Sequence, residues 1–258
     1  MSEEINGSFR QPNPENIGFE PVLLRDLLIE TTLSPDMAIR DGVKRIDLGN
    51  LGAEAETIRA NTLADPEKKE RGRIVYVTYD RRLFVQTKDL VGKRIDTGDD
   101  GTIVEGIFPD LEILTHKNFY AVQRQYRQNR FLATVIHCHK DIEIPASPQD
   151  MRYLLLNQFE LSACPLVFVV TVQRKMLIFR GRGTPQFPQD IADKKVEGWY
   201  REMIERQKRF IKPEMSESEQ IGICARANHA LIRQLAMKYD FRLYSCAVSE
   251  NIASLESA

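Results

Sequence analysis

Long apolar segments are absent from this sequence of 258 residues. No run approaches the roughly 20 apolar residues that a membrane-spanning helix needs, so we expect no membrane partner. The N-terminal sequence MSEEINGSFRQPNPEN is polar and acidic and lacks the apolar segment of a secretory signal. These absences argue against a secreted or membrane-embedded protein.

An excess of charge of one sign is also missing. The chain has 36 basic and 37 acidic side chains and a net charge of −1, which does not indicate binding to nucleic acid. A helix predicted over residues 115–129 does combine arginines with aromatic side chains. Because those aromatic residues share one face, we expect them to pack on the core, and we predict no nucleic-acid partner.

Cysteines are few. Cys138, Cys164, Cys224 and Cys246 lie far apart and form no CxxC pair. Their low density argues against a disulfide scaffold, so we expect reduced thiols in a cytoplasmic protein.

The sequence does contain alternating strand and helix patterns, which predict an α+β fold with helices packed around a mixed sheet. Residues 73–87 and 165–180 are each typical of a hairpin. The apolar run 165–172 is typical of a strand buried on both faces. Further predictions are helices at 22–33, 53–64, 199–211 and 216–239, a loop at 92–100, a strand at 241–248 and a polar tail at 251–258.

The most informative stretch is residues 131–150, FLATVIHCHKDIEIPASPQD. It opens with an apolar, β-branched run, which predicts a strand. Because side chains alternate across a strand, His137 and His139 should project from one face and Cys138 from the other. Cys138 is therefore not expected to be a third ligand beside the histidines.

Asp150 comes next, at the start of an apolar stretch, residues 151–159, that predicts a helix. Ser147 and Asp150 are also typical of a helix start, as N-cap and third residue of a capping box. Two histidines and a carboxylate are the ligand set of a catalytic zinc that keeps one position open for water. We therefore predict a Zn²⁺ site formed by His137, His139 and Asp150, since capping and ligation are compatible in one aspartate.

This His-x-His pattern followed by Ser-x-x-Asp resembles the signature of the JAMM (MPN-type, Mov34/PAD-1-like) zinc metalloproteases. The order of elements from Arg73 to about Arg180 is similar to that of the family. The resemblance implies a cytidine-deaminase-like mixed β-sheet flanked by helices, with N- and C-terminal extensions. The regions are then a flexible arm at 1–18, an N-terminal helical extension at 19–64, a catalytic core at 65–185, and C-terminal helices with a final strand packing on the core at 186–258.

The resemblance also implies an upstream glutamate shortly before a glycine. Glu70, with Gly72 two residues later, is the best match; Glu67 and Glu105 are rivals, and a solvated surface charge is the alternative for Glu70. This glutamate would accept a proton from water activated by zinc and deliver it to the leaving amine. Ser147 would donate a hydrogen bond to the oxyanion.

The implied function is that of deubiquitinase-like isopeptidases, which hydrolyse (iso)peptide bonds at the C-terminus of ubiquitin or ubiquitin-like proteins. The substrate tail would pair with a sheet edge. Lys140 stands where active members usually carry proline, which bears on substrate choice more than on metal binding.

Two other functions stay open. One is a catalytically inactive MPN-like module that binds partners and scaffolds an assembly. The other is a zinc hydrolase of a different substrate, such as a sulfur-carrier precursor. The two flanking regions would cover sheet edges, mediate homo-oligomer formation or gate the site, and the sequence does not choose among these roles.

Overall fold

The computed structural model describes residues 20–66, 69–91, 93–96, 103–106, 130–139, 146–158, 160, 163–212 and 214–256. The helices in these ranges are α1 (Leu24–Thr32), α2 (Asn50–Ala64), α3 (Pro148–Arg152), α4 (Gln189–Phe210) and α5 (Glu217–Tyr239). The strands are β1 (Val22–Leu23), β2 (Arg45–Asp47), β3 (Arg71–Thr78), β4 (Leu83–Val85), β5 (Leu90–Val91), β6 (Lys93–Asp96), β7 (Ile103–Gly106), β8 (Arg130–Cys138), β9 (Leu166–Val170), β10 (Arg174–Arg180), β11 (Phe241–Ala247) and β12 (Ile252–Leu255). The predicted arm at 1–18 and the predicted helix at 115–129 lie outside the described residues.

The architecture is α+β with a mixed sheet, as the sequence predicts. Ten strands form one sheet in the order β1-β2-β12-β11-β10-β9-β8-β3-β4, and β5 pairs with β3. Two pairs of neighbours, β8 with β9 and β1 with β2, are parallel. Strands from both flanking regions therefore extend the central sheet. None of the helices in the described part of the chain combines the length and apolar character that a membrane span requires.

Hydrophobic cores cover both faces of this sheet. One contains side chains of α1 and α2, such as Leu27 and Ile58. The other contains side chains of α4 and α5, such as Trp199 and Leu231. All 5 residues of β9 are buried and enter the two cores alternately. This confirms the prediction of a strand buried on both faces.

Several predicted elements are confirmed. β3 pairs with β4 and β9 with β10 as antiparallel hairpins. α1 and α2 coincide with the N-terminal helical patterns, and α5 follows an N-cap at Ser216. α4 begins well before the predicted start at Trp199, because buried Ala192 and Val196 extend its apolar face. The four cysteines are free thiols.

Two predictions of irregular structure are wrong. The segment predicted as a loop contains β6, which pairs with β7. The segment predicted as a polar tail contains β12, which lies between β11 and β2 and buries Ala253. Strand formation depends on the partner strand, which for β12 includes the distant β2, and a local pattern of polar residues does not reveal such pairing.

The helix predicted over residues 151–159 is also wrong in extent, because α3 ends at Arg152. Leu154, Leu155 and Leu156 are all fully buried. In a surface helix, three consecutive side chains cannot all lie on the single face that packs against the core. The backbone instead turns toward Phe187, whose N–H donates to the Leu155 oxygen at 2.8 Å.

Candidate metal centre

The two histidines of the motif lie at the C-terminal end of β8. This strand is held between β3 and β9, and the His139 N–H continues the pairing with β9 by donating to the Val170 oxygen at 2.9 Å. His137 and His139 face the same side, with their Nε2 atoms 3.2 Å apart. Cys138 instead belongs to the core formed with α1 and α2. Cys138 therefore lies on the face opposite to the histidines, as strand alternation predicts, and burial raises the pKa of its thiol to about 11.

Asp150 reaches the histidines from the first turn of α3. The capping box predicted from the sequence is confirmed. The Ser147 N–H and the Ser147 Oγ–H donate to Asp150 Oδ2 at 2.6 and 2.8 Å. These two bonds orient the carboxylate so that Oδ1 lies 3.1 Å from His137 Nε2.

The three side chains form a group that can hold a metal ion. The third distance, from His139 Nε2 to Asp150 Oδ2, is 3.7 Å, and all potential ligand atoms lie within 4.8 Å of one another. Ligand atoms bound tetrahedrally to one ion at about 2.0–2.1 Å are about 3.3 Å apart. The spacing in the cluster is therefore close to that required for one small cation, and His137 and Asp150 are buried.

Electrostatics favour a negative carboxylate in this cluster. Burial disfavours charge on His137 and on Asp150, but their contact outweighs burial. The pKa of His137 is consequently raised and the pKa of Asp150 is lowered. A cation bound to the three side chains would replace the imidazolium proton in stabilising the negative charge of the carboxylate.

The orientation of His137 has a further support. Its Nδ1 atom lies 3.4 Å from the Val135 carbonyl oxygen. A metal-binding histidine commonly donates its second ring N–H to such an acceptor, which fixes the tautomer. With the proton on Nδ1, the lone pair of Nε2 is directed to the cluster.

Glu70 lies one residue before β3 and next to the cluster. Gly72 pairs with His137 and Arg71 with Cys138, so continuation of this register sets Glu70 opposite His139. Residues two apart in a strand share a face, which is the face of the histidines. The negative charge of Glu70 also contributes to the raised pKa of His137, after burial and Asp150.

The side chains of the two rival glutamates lie outside the described residues, so the choice among the three glutamates stays a prediction. Glu105 lies on β7, where its backbone pairs with Arg94 of β6, and its side chain lies outside the described part. Glu67 is outside the described residues altogether. Among the predicted catalytic residues, Ser147 bonds to the potential ligand Asp150, and continuation of the β3–β8 register sets Glu70 on the face of the histidines.

Sequence reasoning used Gly72 only to locate Glu70 and missed its packing role beside the site. A Cβ atom at this position would lie 2.9 Å from the Ile136 carbonyl oxygen and 3.1 Å from His137 Cβ. Glycine therefore permits the close approach of β3 to β8 beside the site. An isolated glycine within a β-rich run was the available signal.

Comparison of the chain with protein-family models, curated proteins and solved structures found no match. The resemblance to the JAMM metalloproteases therefore depends on the motif, its spacing and the order of the elements around it.

Proposed function

We propose that the protein is a zinc-dependent metallo-isopeptidase of JAMM type. Its substrates would be (iso)peptide bonds at the C-terminus of ubiquitin or a ubiquitin-like protein. The observation that carries this proposal is the buried group of His137, His139 and Asp150, with Glu70 on the same face of the sheet. Two imidazoles and one carboxylate suit zinc, which leaves a fourth position for a solvent molecule.

Zinc would supply a Lewis acid and make water acidic enough to ionise near neutral pH. Glu70 would then act as the proton carrier, accepting the proton of the attacking water and delivering it to the departing lysine or α-amine. An amine is a poor leaving group unless it is protonated. The same carboxylate would therefore both accept the proton of the water and deliver it to the amine.

The Ser147 hydroxyl group would have two roles, one in the resting site and one during the reaction. Its proton is donated to Asp150 Oδ2, and the same carboxylate oxygen accepts the Ser147 N–H. The hydroxyl can therefore turn to an oxyanion without leaving Asp150 Oδ2 unbonded. Ser147 would orient the ligand in the resting site and stabilise the oxyanion during the reaction.

The first test is the zinc content of the purified protein, measured by elemental analysis. We expect one zinc per chain in the wild type and none in His139→Ala. His229→Ala is the matched control, because His229 lies on α5 with Glu256 as its partner and outside the cluster. Absence of zinc from the wild type after zinc is supplied would refute the metal centre.

The second stage measures turnover of isopeptide-linked and C-terminally fused ubiquitin-like substrates. Glu70→Gln should retain zinc and lose activity, whereas Glu105→Gln should retain both. The opposite pattern would assign the proton transfer to Glu105. Zinc binding without turnover of any substrate in the panel would favour an inactive partner-binding module.

A further inference from the structure

An ion pair joins α3, the short helix that carries Asp150, to the first turns of α4. Arg152 Nε of α3 donates a hydrogen bond to Asp193 Oδ1 of α4. The Arg152 side chain is only 15% exposed, and its guanidinium carbon lies 5.8 Å from the centre of the Tyr153 ring. The guanidinium is therefore held between a carboxylate and an aromatic ring, two partners that suit its planar shape.

The position of the Asp150 carboxylate depends on the placement of α3 as a whole. The capping box orients this carboxylate, but Ser147 and Asp150 both belong to the start of α3, so the box moves with the helix. The histidines lie on β8 instead. Contacts that fix α3 relative to the rest of the fold therefore decide the distance between the carboxylate and the two imidazoles.

Two kinds of contact join α3 to α4. Met151 belongs to the same buried core as Ala192 and Val196 of α4, and this apolar packing is non-directional. The ion pair between Arg152 and Asp193 is directional, because a guanidinium donates along fixed directions in its plane. The ion pair therefore limits the rotation of α3 against α4 more strictly than the apolar contact does.

We propose that Asp193 is a positioning residue for the potential metal ligand Asp150, acting through Arg152. The inference rests on the metal centre of the proposed function. Asp193 belongs to a different helix and acts on Asp150 through α3, so its removal should weaken metal binding while all three ligands remain. The urea midpoint of the metal-free protein should change little, because a partly exposed ion pair contributes little to stability.

The test titrates the full chain with cobalt(II) in place of zinc and records the visible absorption. The titration gives the cobalt affinity, and the intensity per bound ion reports whether coordination stays tetrahedral. Asp193→Ala should weaken binding by about 3- to 10-fold, less than the loss of a group bonded directly to a ligand, and should lower the intensity. Alanine favours the helix, so α4 should stay folded. Asp193→Glu keeps a carboxylate and should retain part of the affinity.

Arg152→Met separates positioning from a direct effect of charge. An unpaired Arg152 cation would repel the metal ion, so a purely electrostatic role of Asp193 predicts that Arg152→Met binds cobalt at least as tightly as the wild type. Positioning predicts instead that Arg152→Met weakens binding and that Asp193→Ala adds little further loss in this background. Glu202→Gln is the matched control, because it removes the carboxylate partner of Arg206 within α4, and it should leave cobalt affinity unchanged.

Unchanged cobalt affinity in Asp193→Ala, or undiminished affinity in Arg152→Met, would overturn the inference alone. Asp193→Asn replaces Asp193→Ala if that variant does not fold, with a smaller expected loss. Failure of the wild type to bind cobalt would refute the metal centre and this inference together. Because the measurement is metal binding, absence of isopeptidase turnover would count against the proposed function and not against the role of Asp193.

Discussion

Gly72 shows how one missing side chain shapes the candidate site. It faces His137 across the β3–β8 ladder, and the nearest atoms leave no room for a methyl group. Backbone oxygen is among these atoms, so relief requires movement of a strand rather than rotation of a side chain. Gly198 offers a contrast, because it lies on an exposed face of α4 with no atom within 4 Å of an added Cβ.

We predict that Gly72→Ala destabilises the protein by about 1–3 kcal/mol through overpacking and weakens metal binding by displacing His137. Gly198→Ala should instead stabilise it by about 0.5–1 kcal/mol, because alanine is the better helix former. Urea unfolding and zinc titration measure the two effects. A Gly72→Ala protein with wild-type stability and zinc affinity would contradict the tight approach of β3 to β8.

Among the helices, α3 and α5 both begin with a capping box, but the two boxes differ in function. Ser147 with Asp150 and Ser216 with Glu219 both form complete capping boxes. The acidic member of the first is also a potential metal ligand, whereas the second starts a long surface helix. The pair allows capping to be separated from metal binding.

We predict that Ser147→Ala and Ser216→Ala each lower the free energy of unfolding of the metal-free protein by about 1 kcal/mol. Only Ser147→Ala should also reduce zinc affinity, by about 10- to 100-fold, because a group that orients a ligand is lost. Calorimetric zinc titration of both variants is the measurement. Equal zinc affinities would mean that the Ser147 side chain contributes only to capping.

Over the whole molecule, Glu256 joins the C-terminal end of the chain to α5 and β11. Its carboxylate accepts a hydrogen bond from Ser245 Oγ at 2.7 Å and lies 3.4 Å from His229 Nε2 and 3.6 Å from an Arg233 nitrogen. The bond with His229 lowers the pKa of Glu256 to about 2, against the opposing effect of burial.

The sign of the resulting pH dependence follows from this lowered pKa. Above the unfolded-state value the ionised carboxylate stabilises the fold by about 2 kcal/mol, after allowance for solvent screening. This contribution is lost as the pH falls from about 4.5 toward about 2. We therefore predict that the difference in unfolding free energy between wild type and Glu256→Gln shrinks by about half between pH 7 and pH 3.

Urea unfolding at both pH values tests this prediction. Glu197→Gln, on the exposed face of α4, serves as control and should match the wild type at both. A constant difference for Glu256→Gln across this range would show that its pairing does not depend on ionisation.

Much of the candidate site could be predicted from the sequence. Strand alternation placed His137 and His139 on one face, and local helix-start chemistry gave Ser147 and Asp150 their capping box. These features depend on neighbours within a few residues, so the local pattern contains the required information. The same holds for the two hairpins and for β9, whose uniformly apolar run determines burial on both faces.

Tertiary structure alone decided the remainder. The approach of Asp150 to the histidines, the register that sets Glu70 opposite His139 and the ion pair between Arg152 and Asp193 all join distant segments. β12 likewise exists because β11 and β2 lie on either side of it. Such contacts form only when the sheet assembles, since their free energy depends on the partner strand rather than on local propensity.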